Sequence, residues 1–91
     1  MLQLRLVVRG AVQGVGFRWF ARETAQRLGV AGWVRNREDG SVEIAVSGED
    51  DRVEQFAAAM ERGPGHATVA GVSRDPLGDG EALARPFEIR R

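Results

Sequence analysis

Three glycines and an arginine within nine residues, Gly10-Ala11-Val12-Gln13-Gly14-Val15-Gly16-Phe17-Arg18, have the types and spacing of an anion-binding loop. A phosphate group needs several backbone N–H groups converging on one point and a side chain that forks onto two oxygens. Glycine, lacking Cβ, takes φ > 0 and lets the backbone press close to a ligand. The pattern that follows is helical, so the loop runs into a helix N-terminus whose first N–H groups lack internal partners and whose dipole favours negative charge. Arg18 falls near that first turn, where a cation is disfavoured unless an anion sits beside it. Local rules broken in this way concentrate at functional sites. The candidate binding residues are therefore the amides of Gln13, Gly14, Val15, Gly16, Phe17 and Arg18, with the Arg18 guanidinium. The glycines alone also fit a plain connection followed by a solvated arginine. Two familiar phosphate loops are excluded: the chain contains no lysine for a Gly-x-x-x-x-Gly-Lys-Ser/Thr, and Gly14-Val15-Gly16-Phe17-Arg18-Trp19 does not complete a Gly-x-Gly-x-x-Gly.

The elements that position this loop are legible on both sides. Leu2, Leu4, Leu6 and Val8 alternate with Gln3, Arg5, Val7 and Arg9, which predicts a strand with one buried face. Phe17, Phe20, Ala21, Thr24, Ala25 and Leu28 recur at helical spacing, and Gly29 stands where a C-cap belongs. Ala31 to Asn36 reads as a second strand, Asp39-Gly40 as a hairpin turn, and Val42, Ile44 and Val46 as one face of a third strand. Gly48-Glu49-Asp50-Asp51 is an acidic helix entry, followed by Val53, Phe56, Ala57 and Met60 at helical spacing and a stop at Gly63-Pro64-Gly65. Thr68 to Arg74 predicts a fourth strand, Asp75-Pro76-Leu77-Gly78-Asp79-Gly80 a polar loop, and Phe87 to Arg90 a short last strand.

This order predicts an α+β, ferredoxin-like (split βαβ) sandwich, an antiparallel sheet with two helices on one face. A helix joining the first two strands makes them parallel, so their C-terminal ends share one edge of the sheet. The loop ending at Arg18 must then meet the strand end at Asn36. With the third strand between them, the two axes lie about 10 Å apart, and their side chains can converge on one small ligand.

Ninety-one residues allow one domain, expected to span 1–91. A formal net charge of zero leaves no broad basic footprint for nucleic acid or anionic membrane, so any anion site must be local. No apolar run approaches the roughly 18 residues of a membrane span, and the alternating start is unlike a signal peptide. A cytoplasmic monomer is the expectation. Zero cysteines exclude disulfides, thiolate metal sites and cysteine-dependent phosphatase chemistry, and the absence of lysine excludes Schiff-base mechanisms.

Val12-Gln13-Gly14-Val15-Gly16-Phe17-Arg18, preceded by Gly10, resembles the first signature of the acylphosphatases, which hydrolyse the carboxyl-phosphate bond. Gly32-Trp33-Val34-Arg35-Asn36, with Gly40, Val42 and Gly48, is similar to their second signature. The resemblance extends to the closing Phe87-Glu88-Ile89-Arg90-Arg91. It implies the fold derived above, catalysis by Arg18 and Asn36, and no metal or other cofactor.

The chemistry of these residues suits such a substrate. A departing carboxylate has a conjugate-acid pKa of about 4 and needs no general acid. What remains is holding the phosphoryl group, neutralising its charge and placing a water in line, since phosphoryl transfer is largely positioning and electrostatics. Asn36 can orient the water through its carbonyl, with the substrate phosphate taking the proton; alone, it is also compatible with a turn-forming asparagine. His66, the one histidine, follows Gly63-Pro64-Gly65 and is expected at the surface. The acidic groups at 49–51 and 75–79 read as a helix entry and a polar loop, and Trp19, Phe20, Trp33 and Phe56 as core. A competing function is a non-catalytic ferredoxin-like module that binds acyl or carbamoyl phosphate, or RNA, without turnover. A third is a ligand-sensing domain that changes its oligomeric state.

Overall fold

The computed structural model describes residues 1–78, 83 and 85–91. Strand β1 (Leu2–Ala11) leads into helix α1 (Phe17–Leu28), followed by β2 (Ala31–Asn36), β3 (Val42–Gly48), α2 (Asp50–Arg62), β4 (Thr68–Pro76) and β5 (Glu88–Arg90). The strands form one sheet in the order β4-β1-β3-β2-β5. β3 lies between β1 and β2 and is antiparallel to both, which makes those two strands parallel and brings their C-terminal ends to one edge. β5 pairs with β2 in parallel, Val34 opposite Ile89 at the centre of the ladder, so the sheet is mixed. The first and last of these strands in sequence thereby both end where α1 begins.

Both helices cover one face. Leu6, Val8, Val34, Ile44 and Val46 are buried from the sheet side against Ala21, Ala25, Val53, Phe56 and Met60 from the helices. The period-2 alternation of β1 and the helical spacing of α1 produce this core directly. Gly29 ends α1 in the left-handed conformation, and its N–H donates to the carbonyls of Ala25 and Gln26. His66 is exposed, as expected.

The opposite face carries charge. Glu43 on β3 is ion-paired with Arg5 on β1 at 2.9 Å and with Arg35 on β2 at 2.7 Å. The guanidinium groups of Arg35 and Arg90 lie over the Trp33 ring at 5.5 and 4.8 Å from its centroid. These contacts tie β1, β3, β2 and β5 together across the strand direction.

Three sequence expectations are corrected here. β4 continues through Asp75 and Pro76 instead of ending at Arg74. It is an edge strand, where a proline costs no ladder hydrogen bond. Leu77, expected in a polar loop, is buried, and with Leu83 it packs against Trp33 and Ala45 on the charged face. Asp79 and Gly80 of that loop lie outside the described residues. Trp33 is buried there and not in the main core, while Trp19 is 59% exposed.

Gly10 serves the sheet and not the ligand loop. The β1–β4 register shifts between Arg9 and Gly10, and Gly10 has φ 131°. A Cβ at that position would lie 2.2 Å from the Thr68 carbonyl oxygen, a backbone atom that cannot rotate away. This irregularity turns β1 toward the loop that follows. Gly10→Ala is expected to destabilise the fold by about 3 kcal/mol through strain and displaced pairing. A urea unfolding midpoint equal to that of the unsubstituted protein would contradict it.

Candidate active site

Packing aims the loop. Val12 and Phe17, at either end of it, are buried in the core, and Val15 is half-buried against the same cluster. The Phe17 ring meets Phe20 edge-on at 5.8 Å between centroids. With Phe17 fixed inward, the next residue, Arg18, is turned to the surface. Gly14 and Gly16 have φ of 75° and 77°, and a Cβ on either would meet nothing within 4 Å. Their glycine requirement is therefore conformational, not a matter of space.

Gly16 is the N-cap of α1, and among the described residues no side chain caps this end. The first turn holds no acidic residue. The Gly16 carbonyl accepts the first intrahelical bond, from the Phe20 N–H at 3.0 Å. The helix thus presents uncapped N–H groups and the positive end of its dipole at one spot. Arg18 is half-buried beside it, and its guanidinium has no hydrogen bond or ion pair among the described residues.

Asn36 arrives from β2. Strand alternation puts it on the same face as the buried Val34, which is the face covered by α1. Its backbone pairs with Val42, and its side chain is half-buried without a hydrogen-bond partner among the described residues. A cavity of about 290 Å³ brings Gly14, Gly16, Phe17, Arg18 and Asn36 together. Gln13 and Val15, also named from the sequence, do not line it. Trp19, Ile89 and Arg91 do, and the sequence reading had not placed them in the site. The parallel pairing of β5 explains the last two: Arg35 lies opposite Arg90, so Arg91 follows beside Asn36. The described lining contains no carboxylate side chain and no histidine.

Gln13 has a different task. Its side-chain Nε2 donates to the Arg37 carbonyl at 2.8 Å and to the Ser41 carbonyl at 2.9 Å. It fastens the loop to the turn that immediately follows Asn36. That turn is closed by the Arg37 N–H to the Ser41 carbonyl at 2.9 Å and by the Gly40 N–H to the Arg37 carbonyl at 3.2 Å. Asp39 caps it, accepting from the Ser41 hydroxyl and backbone N–H. Those two bonds, with weaker help from Arg37 and Arg9, hold the Asp39 carboxyl below the usual carboxylate range.

The sequence model of the acylphosphatase family matches residues 4–89. The chain belongs to this family. It is 49% identical over 85 residues to an acylphosphatase of Nitrobacter hamburgensis, covering 92% of this chain and 86% of that one. Among solved structures, an acylphosphatase from Bacillus subtilis superposes with a TM-score of 0.84 at 38% identity and full coverage of both chains. One from Coxiella burnetii gives 0.89 at 31% identity, covering 98% and 92%. The two helices on a five-stranded mixed sheet are thus the acylphosphatase fold, and the residues that line the cavity at the start of α1, apart from Arg91, lie within the matched span.

Proposed function

We propose that the chain hydrolyses small acyl phosphates to a carboxylate and inorganic phosphate, with Arg18 holding the phosphoryl group and Asn36 placing the attacking water. The observation that carries the reading is a guanidinium and a carboxamide, both without partners among the described residues, lining one cavity at the start of α1. The uncapped amides and Arg18 supply the donors that an anion with three terminal oxygens requires. Water attacks phosphorus in line, a new P–O bond forms, and the bond from phosphorus to the acyl oxygen breaks. The electron pair leaves with the carboxylate, and the water's proton passes to a phosphoryl oxygen. The described lining offers no carboxylate or imidazole side chain as general base, and the leaving group needs no general acid, so positioning does the catalysis.

The deciding assay is phosphate release from acetyl phosphate in the presence of a chelator, with a phosphate monoester as control, run in ¹⁸O-labelled water. Rapid release with one ¹⁸O in the phosphate supports attack at phosphorus. Label in the acetate moves the attack to the carbonyl carbon and overturns the mechanism. Phosphate binding through Arg18 without turnover overturns the hydrolase and leaves the acyl or carbamoyl phosphate module.

Residues 1–91 act in this reading as one domain and as a monomer. Zero net charge argues against a nucleic-acid partner. No helix among the described residues is long and apolar enough to cross a membrane. The expected compartment is the cytoplasm.

The Gln13 bonds give this mechanism a separate handle. Gln13→Ala frees the loop from the turn behind Asn36, and kcat is expected to fall about tenfold through misplacement of the water. The Arg37 and Ser41 carbonyls keep their backbone donors, so the stability cost is only about 1 kcal/mol. Inhibition by inorganic phosphate, which needs only the loop and Arg18, should stay within about twofold. Equal losses in kcat and phosphate affinity would show that Gln13 shapes the loop alone.

A further inference from the structure

Trp19 occupies a position that packing does not explain. It lies off the buried stripe of α1, which runs through Phe17, Ala21, Thr24, Ala25 and Leu28. It is 59% exposed, while Trp33, the other tryptophan, is 4% exposed. Leaving an indole in water forgoes one of the largest burial gains a side chain offers. Trp19 nevertheless adjoins Arg18 in the chain and forms part of the cavity lining, with the half-buried Ile89.

The geometry points to Trp19 as the residue that receives the acyl group, selecting acyl phosphates whose acyl portion is a flat aromatic ring. This inference rests on the acyl phosphate reading above. If the loop amides and Arg18 hold the phosphoryl end, the acyl oxygen points away from them toward the open side of the cavity. The lining residues left for the acyl end are Trp19, Ile89 and Arg91. An aromatic acyl group can stack offset on the indole and bury apolar area on both partners, which an acetyl group is too small to do. A 290 Å³ cavity is at the small end for ligand sites, and it suits a phosphoryl group with one ring at its mouth.

The test compares benzoyl phosphate, acetyl phosphate and succinyl phosphate on the unsubstituted protein, Trp19→Ala and Trp19→Phe. The unsubstituted protein is expected to prefer benzoyl over acetyl phosphate in kcat/KM, and Trp19→Ala to reduce that ratio about tenfold. Trp19→Phe should retain most of it, since a smaller ring still stacks. An independent readout uses phenacylphosphonate, whose P–C bond resists hydrolysis: its binding should protect the exposed indole from acrylamide quenching, and inorganic phosphate should not. An unchanged ratio in Trp19→Ala, or equal losses for benzoyl and acetyl phosphate, overturns the proposal. Preference for succinyl phosphate that survives Trp19→Ala also overturns it, in favour of Arg91 as the selector. Failure of the unsubstituted protein to turn over any of the three substrates overturns the hydrolase reading instead.

Discussion

Arg18→Ala is expected to lower kcat/KM for acetyl phosphate by about 10³-fold or more while leaving the fold slightly more stable. The activity loss follows from the charge that phosphoryl transfer develops on the non-bridging oxygens, where a positioned arginine is worth about 10³ to 10⁵ in rate. Arg18 is half-buried and lacks any protein partner among the described residues, so nothing in the fold competes for its guanidinium. The gain in stability follows from position. Arg18 is in the first turn of α1, no acidic residue offsets it there, and a cation at that end opposes the helix dipole by about 0.3–1 kcal/mol. Removing it relieves that opposition and breaks no bond. A urea midpoint at or above the original, with turnover lost, would show a residue kept for function against local stability. Arg18→Lys should recover only part of the rate, because an ammonium restores charge but not the two parallel hydrogen bonds of the fork. Turnover within tenfold of the original in Arg18→Ala would remove this residue from the mechanism. A lower midpoint would show that it has a structural role.

The convergence of Arg18 and Asn36 was legible because it depends only on strand parity and connection. A helix between β1 and β2 makes them parallel, and β3 between them sets their spacing, both of which follow from periodicity and turn chemistry. Helix α1 was legible to the residue, since Phe17 starts its buried stripe and Gly29 ends it. The rest depends on contacts between distant segments. Trp19 sits among apolar neighbours on the edge of the helical stripe, where spacing does not separate a core residue from an exposed one. Gln13 satisfies backbone carbonyls 24 and 28 residues away, an attachment with no composition signal. Gly10 looked like a ligand-facing glycine because its sequence neighbours are Gly14 and Gly16. Its need is set by the Thr68 carbonyl on β4. Ile89 and Arg91 reach the cavity only because β5 pairs with β2 in parallel, and a three-residue strand is too short to announce its partner.

Asn36→Ala is expected to reduce kcat about 10²-fold and to leave inhibition by inorganic phosphate within about twofold, because misplacing a reacting group by an ångström can cost that much. The separation from Arg18 rests on what each side chain can do. A carboxamide carries no charge to attract the phosphoryl oxygens, but its carbonyl can accept one hydrogen bond from a water and fix where the lone pair points. Asn36 is held for this by its backbone pairing with Val42 and by the turn that Gln13 and Asp39 stabilise behind it. Asn36→Asp supplies the sharper test. The new carboxylate matches the shape and can accept a proton, so a general-base role would preserve or raise kcat. It also sets a negative charge opposite the phosphoryl group at the cavity wall, where like charges repel. A positioning role therefore predicts that Asn36→Asp weakens phosphate inhibition, where Asn36→Ala does not, and fails to restore turnover. Rescue of kcat by the aspartate, with a rate that rises as its carboxyl ionises, would replace substrate-assisted proton transfer with base catalysis. Loss of turnover with loss of phosphate inhibition in Asn36→Ala would instead assign Asn36 to holding the phosphoryl group.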